Sequence, residues 1–457
     1  MWIVPHISSV LGFLLAVLLL SRILRERRPP ASTMAWLLVI VLVPYLGVPL
    51  YFLIGGRKHR RMAARKEVLY PGLGELSHEN VTNSIERILL TGGAPRTTVG
   101  DGVRLFTSGE GTFECMLELF AQAERSIDVS TFILGRDATG QAVLEALAAK
   151  AAQGVHVRLL LDGLFLFRCS RGQLARFTRA GGQLAVFMPI LRLPFRGPAN
   201  LRNHRKIIVV DGEHAIVGGM NLAGEYMGPV PKRERWLDVA VLIEGPAVAH
   251  IHNVFRSDWS FAAGSRTRDE AYPLLKRAGD ASLQVVASGP DVPRDNYYDA
   301  VLTALFQARE RIWIATPYFI PDEAISRGLV LAARRGVDVK LIVPARSNHL
   351  SADIAGGSYL RQIENAGGQV RPYARGMMHA KVMLIDHDIV VLGSANLDMR
   401  SLFLDYEIAL FIYTRPEIET FANWFETLLV SCELRLPEPG RVRALAEDFG
   451  RLLAPLM

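Results

Sequence analysis

The stretch Gly154-Val-His-Val-Arg-Leu-Leu-Leu-Asp162 is met again as Gly336-Val-Asp-Val-Lys-Leu-Ile-Val343. Each is a glycine followed by a run that turns continuously apolar, the pattern of a buried strand leaving the end of a helix. Upstream of the first copy the chain reads as helix over Phe113–Ala123, strand over Ser126–Ile133 and helix over Gln141–Gln153. Upstream of the second it gives helix over Tyr298–Arg309, strand over Arg311–Thr316 and helix over Glu323–Arg335. Both copies then continue through Ala-Gly-Gly-Gln, at 180–183 and 366–369. Such alternation predicts an α/β body of two similar halves, 101–265 and 266–435, with crossover helices over parallel strands. The halves are expected to pack together and to face one cleft.

A second repeated signal is chemical. His204-Arg-Lys206, four apolar residues, Asp211 and Gly218-Gly219-Met-Asn221 are echoed by His379-Ala-Lys381, four apolar residues, Asp386 and Gly393-Ser394-Ala-Asn396. Alternation along an extended segment puts His204 with Lys206, and His379 with Lys381, on one face. An imidazole can attack phosphorus, while lysine and an asparagine amide hold the oxygens whose charge grows in the transition state. The second histidine would protonate the departing alkoxide. His204, Lys206, Asp211, His379, Lys381 and Asp386 are therefore the candidate catalytic set. Within it the two aspartates read as structural ties of the motif strand.

Charge is distributed unevenly. The 457-residue chain carries a formal +7, yet residues 1–66 alone hold ten basic side chains against Glu26, a net +9. The remaining 42 basic and 44 acidic residues nearly cancel, so nothing in the body suggests a nucleic-acid partner. Two runs without formal charge, about 2–21 and 31–54, are each long enough to cross a bilayer as helix. They predict an N-terminal transmembrane helical hairpin, with the Arg57–Lys66 cluster as a cytoplasmic topology signal and a contact for anionic lipid. Pro44 and Gly47-Val-Pro49 leave open whether the second run crosses fully. Residues 67–100 read as an irregular linker and 436–457 as a C-terminal amphipathic helix, expected to pack on the body. Three widely spaced cysteines, Cys115, Cys169 and Cys432, imply neither a disulfide framework nor a cysteine-type metal site.

The paired motifs resemble those of the phospholipase D superfamily, and their union with an N-terminal hairpin resembles bacterial cardiolipin synthases. Arg202-Asn-His-Arg-Lys206 and Gly393-Ser-Ala-Asn-Leu-Asp-Met-Arg-Ser401 are close to that family's wording. The resemblance implies duplicated α-β-α sandwich halves around one shared site. It also implies phosphatidyl transfer between two phosphatidylglycerol molecules, giving cardiolipin and glycerol through a covalent phosphohistidine. By analogy His204 is the nucleophile and His379 the acid and base, with the reverse left open by pseudo-symmetry. Lys206, Lys381, Asn221 and Asn396 would hold phosphate oxygens, with Ser394 assisting, and Asp238 and Glu407 would back the histidines. Gly219 stands where the second motif has Ser394, so one hydroxyl is missing. No metal and no cofactor is implied.

Other readings stay open on the residues alone. Water could resolve the phosphohistidine in place of a lipid hydroxyl, giving a hydrolase that yields phosphatidic acid, or another alcohol could accept the phosphatidyl group. A superfamily nuclease would want a basic body and no hairpin. His250-Ile-His252 is read as solvated or capping rather than as a metal pair. Two apolar stretches carrying arginines, Leu164–Arg168 and Met188–Pro198, are candidate linings of a lipid entrance.

Overall fold

The protein is described from a computed structural model over residues 83–189, 201–264 and 276–453, with 30–43 and a few isolated positions from 45 to 81. Helix α1 (Pro30–Leu42) and helix α2 (Ser84–Thr91) precede the first half. That half runs β1 (Thr98–Phe106), α3 (Gly109–Gln122), β2 (Ser126–Thr131), α4 (Ala138–Ala152), β3 (His156–Asp162), a short 3-10 turn (Leu166–Arg168), α5 (Arg171–Arg179) and β4 (Gln183–Phe187). It ends with β5 (Ile207–Val210), β6 (His214–Gly218), β7 (Ala240–Glu244) and α6 (Ala247–Ala263). The second half runs β8 (Ala281–Ser288), α7 (Asn296–Gln307), β9 (Arg311–Ala315), β10 (Phe319–Ile320), α8 (Glu323–Arg334), β11 (Asp338–Pro344), α9 (Leu350–Asn365) and β12 (Gln369–Tyr373). It closes with β13 (Val382–Ile385), β14 (Ile389–Gly393), β15 (Leu397–Asp398), α10 (Met399–Phe403), β16 (Glu407–Ile412), α11 (Arg415–Leu429) and α12 (Arg441–Leu453).

Fourteen strands form one sheet in the order β12-β11-β9-β13-β14-β16-β8-β1-β7-β6-β5-β2-β3-β4. Read from either edge inward, the order is the same for both halves, which join where β1 pairs antiparallel with β8. Within this sheet only β2-β3-β4 and β9-β11-β12 are parallel, while β10 and β15 form a separate parallel pair. The rest of the sheet is antiparallel because each motif strand is followed by a tight turn that returns it as a hairpin, β5 to β6 and β13 to β14. Duplicated local chemistry sets the crossover helices: Asp137 caps α4 on the Gly140 N–H and Asp322 caps α8 on the Ile325 N–H. Gly154 and Gly336 follow those helices with φ of 90° and 87°, a backbone that favours glycine.

Strand period decides which core each side chain enters. Ile207 and Val209 of β5 join the core shared with the second half, whereas Ile208 and Val210 join the separate core of the first half. The long helix α6 packs on β4 through β7 and also on β8, so it welds the two halves.

Several expectations change here. The 67–100 segment is not wholly irregular, since Asn83 caps α2 and that helix packs against α7 of the second half. The 2–21 run lies outside the described residues. Of the 31–54 run the described helix is α1, 13 residues long, and among the described residues no helix is long and apolar enough to cross a membrane. Lys66, expected among surface cations for lipid headgroups, is buried in the body, where Asp291 (2.5 Å) and Asp258 (3.0 Å) neutralise it. His252 is buried rather than solvated, bonded through Nε2 to Asp128 (2.7 Å), which also holds Arg158. Residues 190–198 of the second proposed entrance stretch lie outside the described residues.

Candidate active site

The residues that precede β5 and β13 run extended toward each other's half. Asn203 forms a parallel bridge with Tyr406, and Leu237 forms one with Met378. Backbone bonds fix both crossings: the His204 N–H donates to the Tyr406 carbonyl (2.9 Å), and the His379 N–H to the Leu237 carbonyl (2.6 Å). Each histidine is thereby set beside a carboxylate from the opposite half. His379 Nδ1 lies 2.7 Å from Asp238 Oδ2, and His204 Nδ1 lies 3.3 Å from Glu407 Oε1. With Nδ1 turned to a carboxylate, Nε2 is the ring atom left for phosphorus or for a transferable proton. Sequence reasoning found both carboxylates; their exchange between halves has no signature in spacing.

The lysines complete the constellation. Lys206 Nζ donates to the His204 carbonyl (2.7 Å), and Lys381 Nζ reaches the His379 carbonyl and its Nδ1 (2.6 Å). Burial lowers both lysines, Lys381 to about 7. Lys206 feels Asp238, and Lys381 feels Glu407 and Lys206, so the two motifs share one electrostatic site. Burial also holds His204 down to about 4 and His379 down to about 3, leaving both imidazoles neutral at pH 7. Burial pushes Glu407 up to about 7, against the pull of Lys206. Lys381 and Glu407 are thereby poised to change charge near neutral pH.

Other candidates land as follows. Asn221 accepts from the Ile133 N–H through Oδ1 (3.2 Å); Asn396 donates to Asp398 (3.2 Å) and keeps its buried Oδ1 without a hydrogen-bond partner. The Ser394 hydroxyl donates to Glu407 and accepts from the Ile408 N–H (3.0 Å). In the first half, a Cβ at Gly219 would come within 2.3 Å of the Asp238 carboxylate, so glycine is what leaves room for it. Asp211 and Asp386 stand past the far ends of β5 and β13 and do not join the histidines. The Asp211 carboxylate accepts from the N–H groups of Glu124, Arg125 and Ser126, and Asp386 from those of Arg309, Glu310 and Arg311. Their φ of 54° and 49° is strained for a non-glycine residue, and those bonds hold it.

The structure adds residues the motifs did not announce. Arg205, fully buried between His204 and Lys206, donates to Asp258 (2.6 Å), to both oxygens of Asp291 (3.0 Å each) and to the Glu407 carbonyl (3.0 Å). Asn203 donates to the same Asp258 (3.0 Å). Arg202 and the Asn203 N–H are held by Asp162, whose carboxyl burial pushes up to about 6. The signal available in sequence was the polar wording around the motif, Arg202-Asn-His-Arg, which an ordinary buried strand would not carry. Phe132 packs on the His204 ring (centroids 4.0 Å), Phe165 on Phe132 (4.9 Å) and exposed Phe167 on Phe165 (5.9 Å). Tyr226 and Trp236 flank His379. Among the described residues, His204, Asp405 and Glu407 are the one set whose ligand atoms, within 4.8 Å of one another, could hold a metal. Asp405 is already paired with Arg400 (3.1 Å) and Glu407 with Ser394, which suits orientation of the ring.

A duplicated mixed sheet that brings two His-x-Lys segments into one buried site is the build of a phospholipase D-like phosphodiester-processing protein. Residues 116–259 and 301–429 match the family described as cardiolipin synthase, PLD-like domain, and this chain belongs to that family. Residues 14–56 match a phospholipase D-nuclease N-terminal family. The chain is 34% identical to cardiolipin synthase 1 of Bacillus anthracis, over 94% of this chain and 90% of that protein. It is 33% identical to the cardiolipin synthase of Geobacillus kaustophilus over the same shares. Its fold resembles a phosphatidylserine synthase of Haemophilus influenzae Rd KW20, with a TM-score of 0.61 at 17% identity, covering 82% of this chain and 98% of that one.

Proposed function

We propose that this protein is a phosphatidyltransferase that makes cardiolipin and glycerol from two molecules of phosphatidylglycerol. The observation that carries the reading is the convergence of His204-Lys206 and His379-Lys381, each histidine backed by a carboxylate of the other half. In the first step His204 Nε2 attacks phosphorus and the P–O bond to the glycerol headgroup breaks. His379 gives its Nε2 proton to the departing alkoxide, and glycerol leaves. In the second step His379 takes the proton of a primary hydroxyl on the next phosphatidylglycerol; that oxygen attacks phosphorus and frees His204. Lys206, Lys381, Asn221 and Asn396 hold the non-bridging oxygens. A neutral His379 must gain its proton as the anionic substrate enters, because the phosphodiester offsets the nearby Lys381 and raises the ring's affinity.

His204 is assigned to attack because its side chain is the more open of the two, 19% exposed against 9% for His379. Phe167, Phe165 and Phe132 form the apolar approach to it. The hairpin at 2–21 and 31–54 would hold the body at the cytoplasmic face of the membrane. Purified protein given phosphatidylglycerol should release cardiolipin and glycerol in equal amounts, undiminished by a chelator. Phosphatidic acid without cardiolipin would make it a hydrolase. With a p-nitrophenyl phosphodiester, which needs no acid to expel its leaving group, His379→Asn should accumulate phosphate on His204; phosphate on His379 in the His204→Asn protein would reverse the roles.

A further inference from the structure

Helix α12 (Arg441–Leu453) docks on α9 (Leu350–Asn365) with its polar side inward. Glu447, 2% exposed, accepts from Arg361 Nε (2.8 Å) and Arg443 Nε (2.9 Å). Gly357 leaves room for that carboxylate, since a Cβ there would lie 2.4 Å from Glu447 Cδ, and Gly450 sits against Ala355. The opposite side is apolar. Val442, Leu445 and Phe449 are 83%, 72% and 63% exposed, and steps of three and four residues place them in one stripe. An amphipathic helix packed for core burial would do the reverse.

The surroundings indicate what covers the stripe. Arg441 lies at the edge of the stripe with exposed Asp448, Arg451 lies on the α9 side near Tyr359, and after Arg451 the sequence Leu452-Leu-Ala-Pro-Leu-Met457 carries no side-chain charge. Glu447 faces Gly357 and Gly450 faces Ala355, so α12 runs antiparallel to α9, toward Leu350. Leu350 is itself exposed, two residues past Asn348, which accepts from the Tyr318 hydroxyl (2.5 Å) beyond the end of β9. Exposed Phe167 occupies the matching end of β3 in the first half. An apolar stripe that runs on into an uncharged, leucine-rich end suits the interfacial layer of a bilayer, and Arg441 at its edge suits an anionic one.

We infer that the Val442-Leu445-Phe449 face of α12 lies in the interfacial layer of an anionic bilayer, a membrane contact separate from the N-terminal segment. The surface is read independently of the proposed reaction, which supplies only the substrate of the turnover arm below. The full chain, as Leu445→Cys on a Cys432→Ser background, carries an environment-sensitive fluorophore and is reconstituted in phosphatidylglycerol/phosphatidylethanolamine vesicles. Its emission should move to shorter wavelength and fall about twofold with acyl-brominated lipid, whereas the same label at Glu419→Cys, an exposed position of α11, should do neither. Identical behaviour of the two labels overturns the inference. So does protection of the Leu445 label that ignores brominated lipid and grows with protein density, because a second copy then covers the face. The Val442→Ser/Leu445→Ser/Phe449→Ser protein should lose about tenfold in turnover on vesicles and keep its turnover of detergent-dispersed short-chain phosphatidylglycerol. Unchanged vesicle turnover, or equal loss on both substrates, overturns it as well. Absence of cardiolipin from wild-type vesicles would defeat the reaction while leaving the label result intact.

Discussion

Burial lowers Lys381 from the ordinary lysine range to about 7, and that places its charge within the working pH range. A lysine lowered in this way is cationic below its folded pKa and loses the charge as pH rises through about 7, so phosphate capture by the free protein should weaken on the alkaline side. Lys381→Arg fixes the charge. The expected result is a lower kcat/KM at pH 7 with the alkaline limb moved upward by a unit or more, measured as a pH profile on phosphatidylglycerol. Glu407 works with the opposite sign: raised to about 7, it is anionic above that value, so histidine support is lost as pH falls. Glu407→Gln should remove the acid limb and leave a lower, flatter profile. His204, Lys206, His379 and Lys381 stand out in the sequence as a repeated pattern, whereas Asp238 and Glu407 were reached only through the family resemblance. The hydrogen bond from Ser394 to Glu407 was not legible, because a hydroxyl fits a carboxylate as well as a phosphate, and only position decides.

The elements that matter most are the extended segments just before β5 and β13, which place chemistry beyond the sheet while the strands behind them are wholly buried. Asp211 and Asp386 terminate those strands and tie them to the turns before β2 and β9, so the aspartate of each motif sets the strand while its histidine lies at the other end, in the candidate site. Asp238→Asn keeps the shape of the pair with His379 but removes the charge that stabilises an imidazolium. The expected loss in kcat is about 10²- to 10⁴-fold, with folding unchanged by circular dichroism and KM little moved. The helix and strand pattern of the body was readable because periodicity and glycine positions specify it locally. The short helix α2 escaped, being eight residues long and stabilised by a cap and by packing on α7 rather than by its own pattern.

Across the whole molecule, a buried network joins the halves beneath the site. Arg205 and Lys66 together neutralise Asp258 and Asp291, and Arg205 also holds the Glu407 carbonyl. Removing one cation strands a buried carboxylate, which costs about 3–5 kcal/mol. Arg205→Met should therefore lower the unfolding free energy read from a urea titration by that amount, and Lys66→Met should do likewise despite its place in a cluster that reads as a surface flank. A Lys66→Met protein as stable as wild type would show that the network does not bear on folding.

The duplicated α/β body, the two histidine-lysine pairs and the phosphodiester chemistry they imply are legible in the chain alone, because periodicity and functional-group chemistry are properties of short stretches. Tertiary structure alone decided that each histidine is served by the other half's carboxylate, that Lys66 is an internal counter-ion, and that α12 turns its apolar side outward. Those outcomes depend on which surfaces meet when the two seven-strand units join at β1 and β8, and residues 141 or 203 positions apart become neighbours only through that contact.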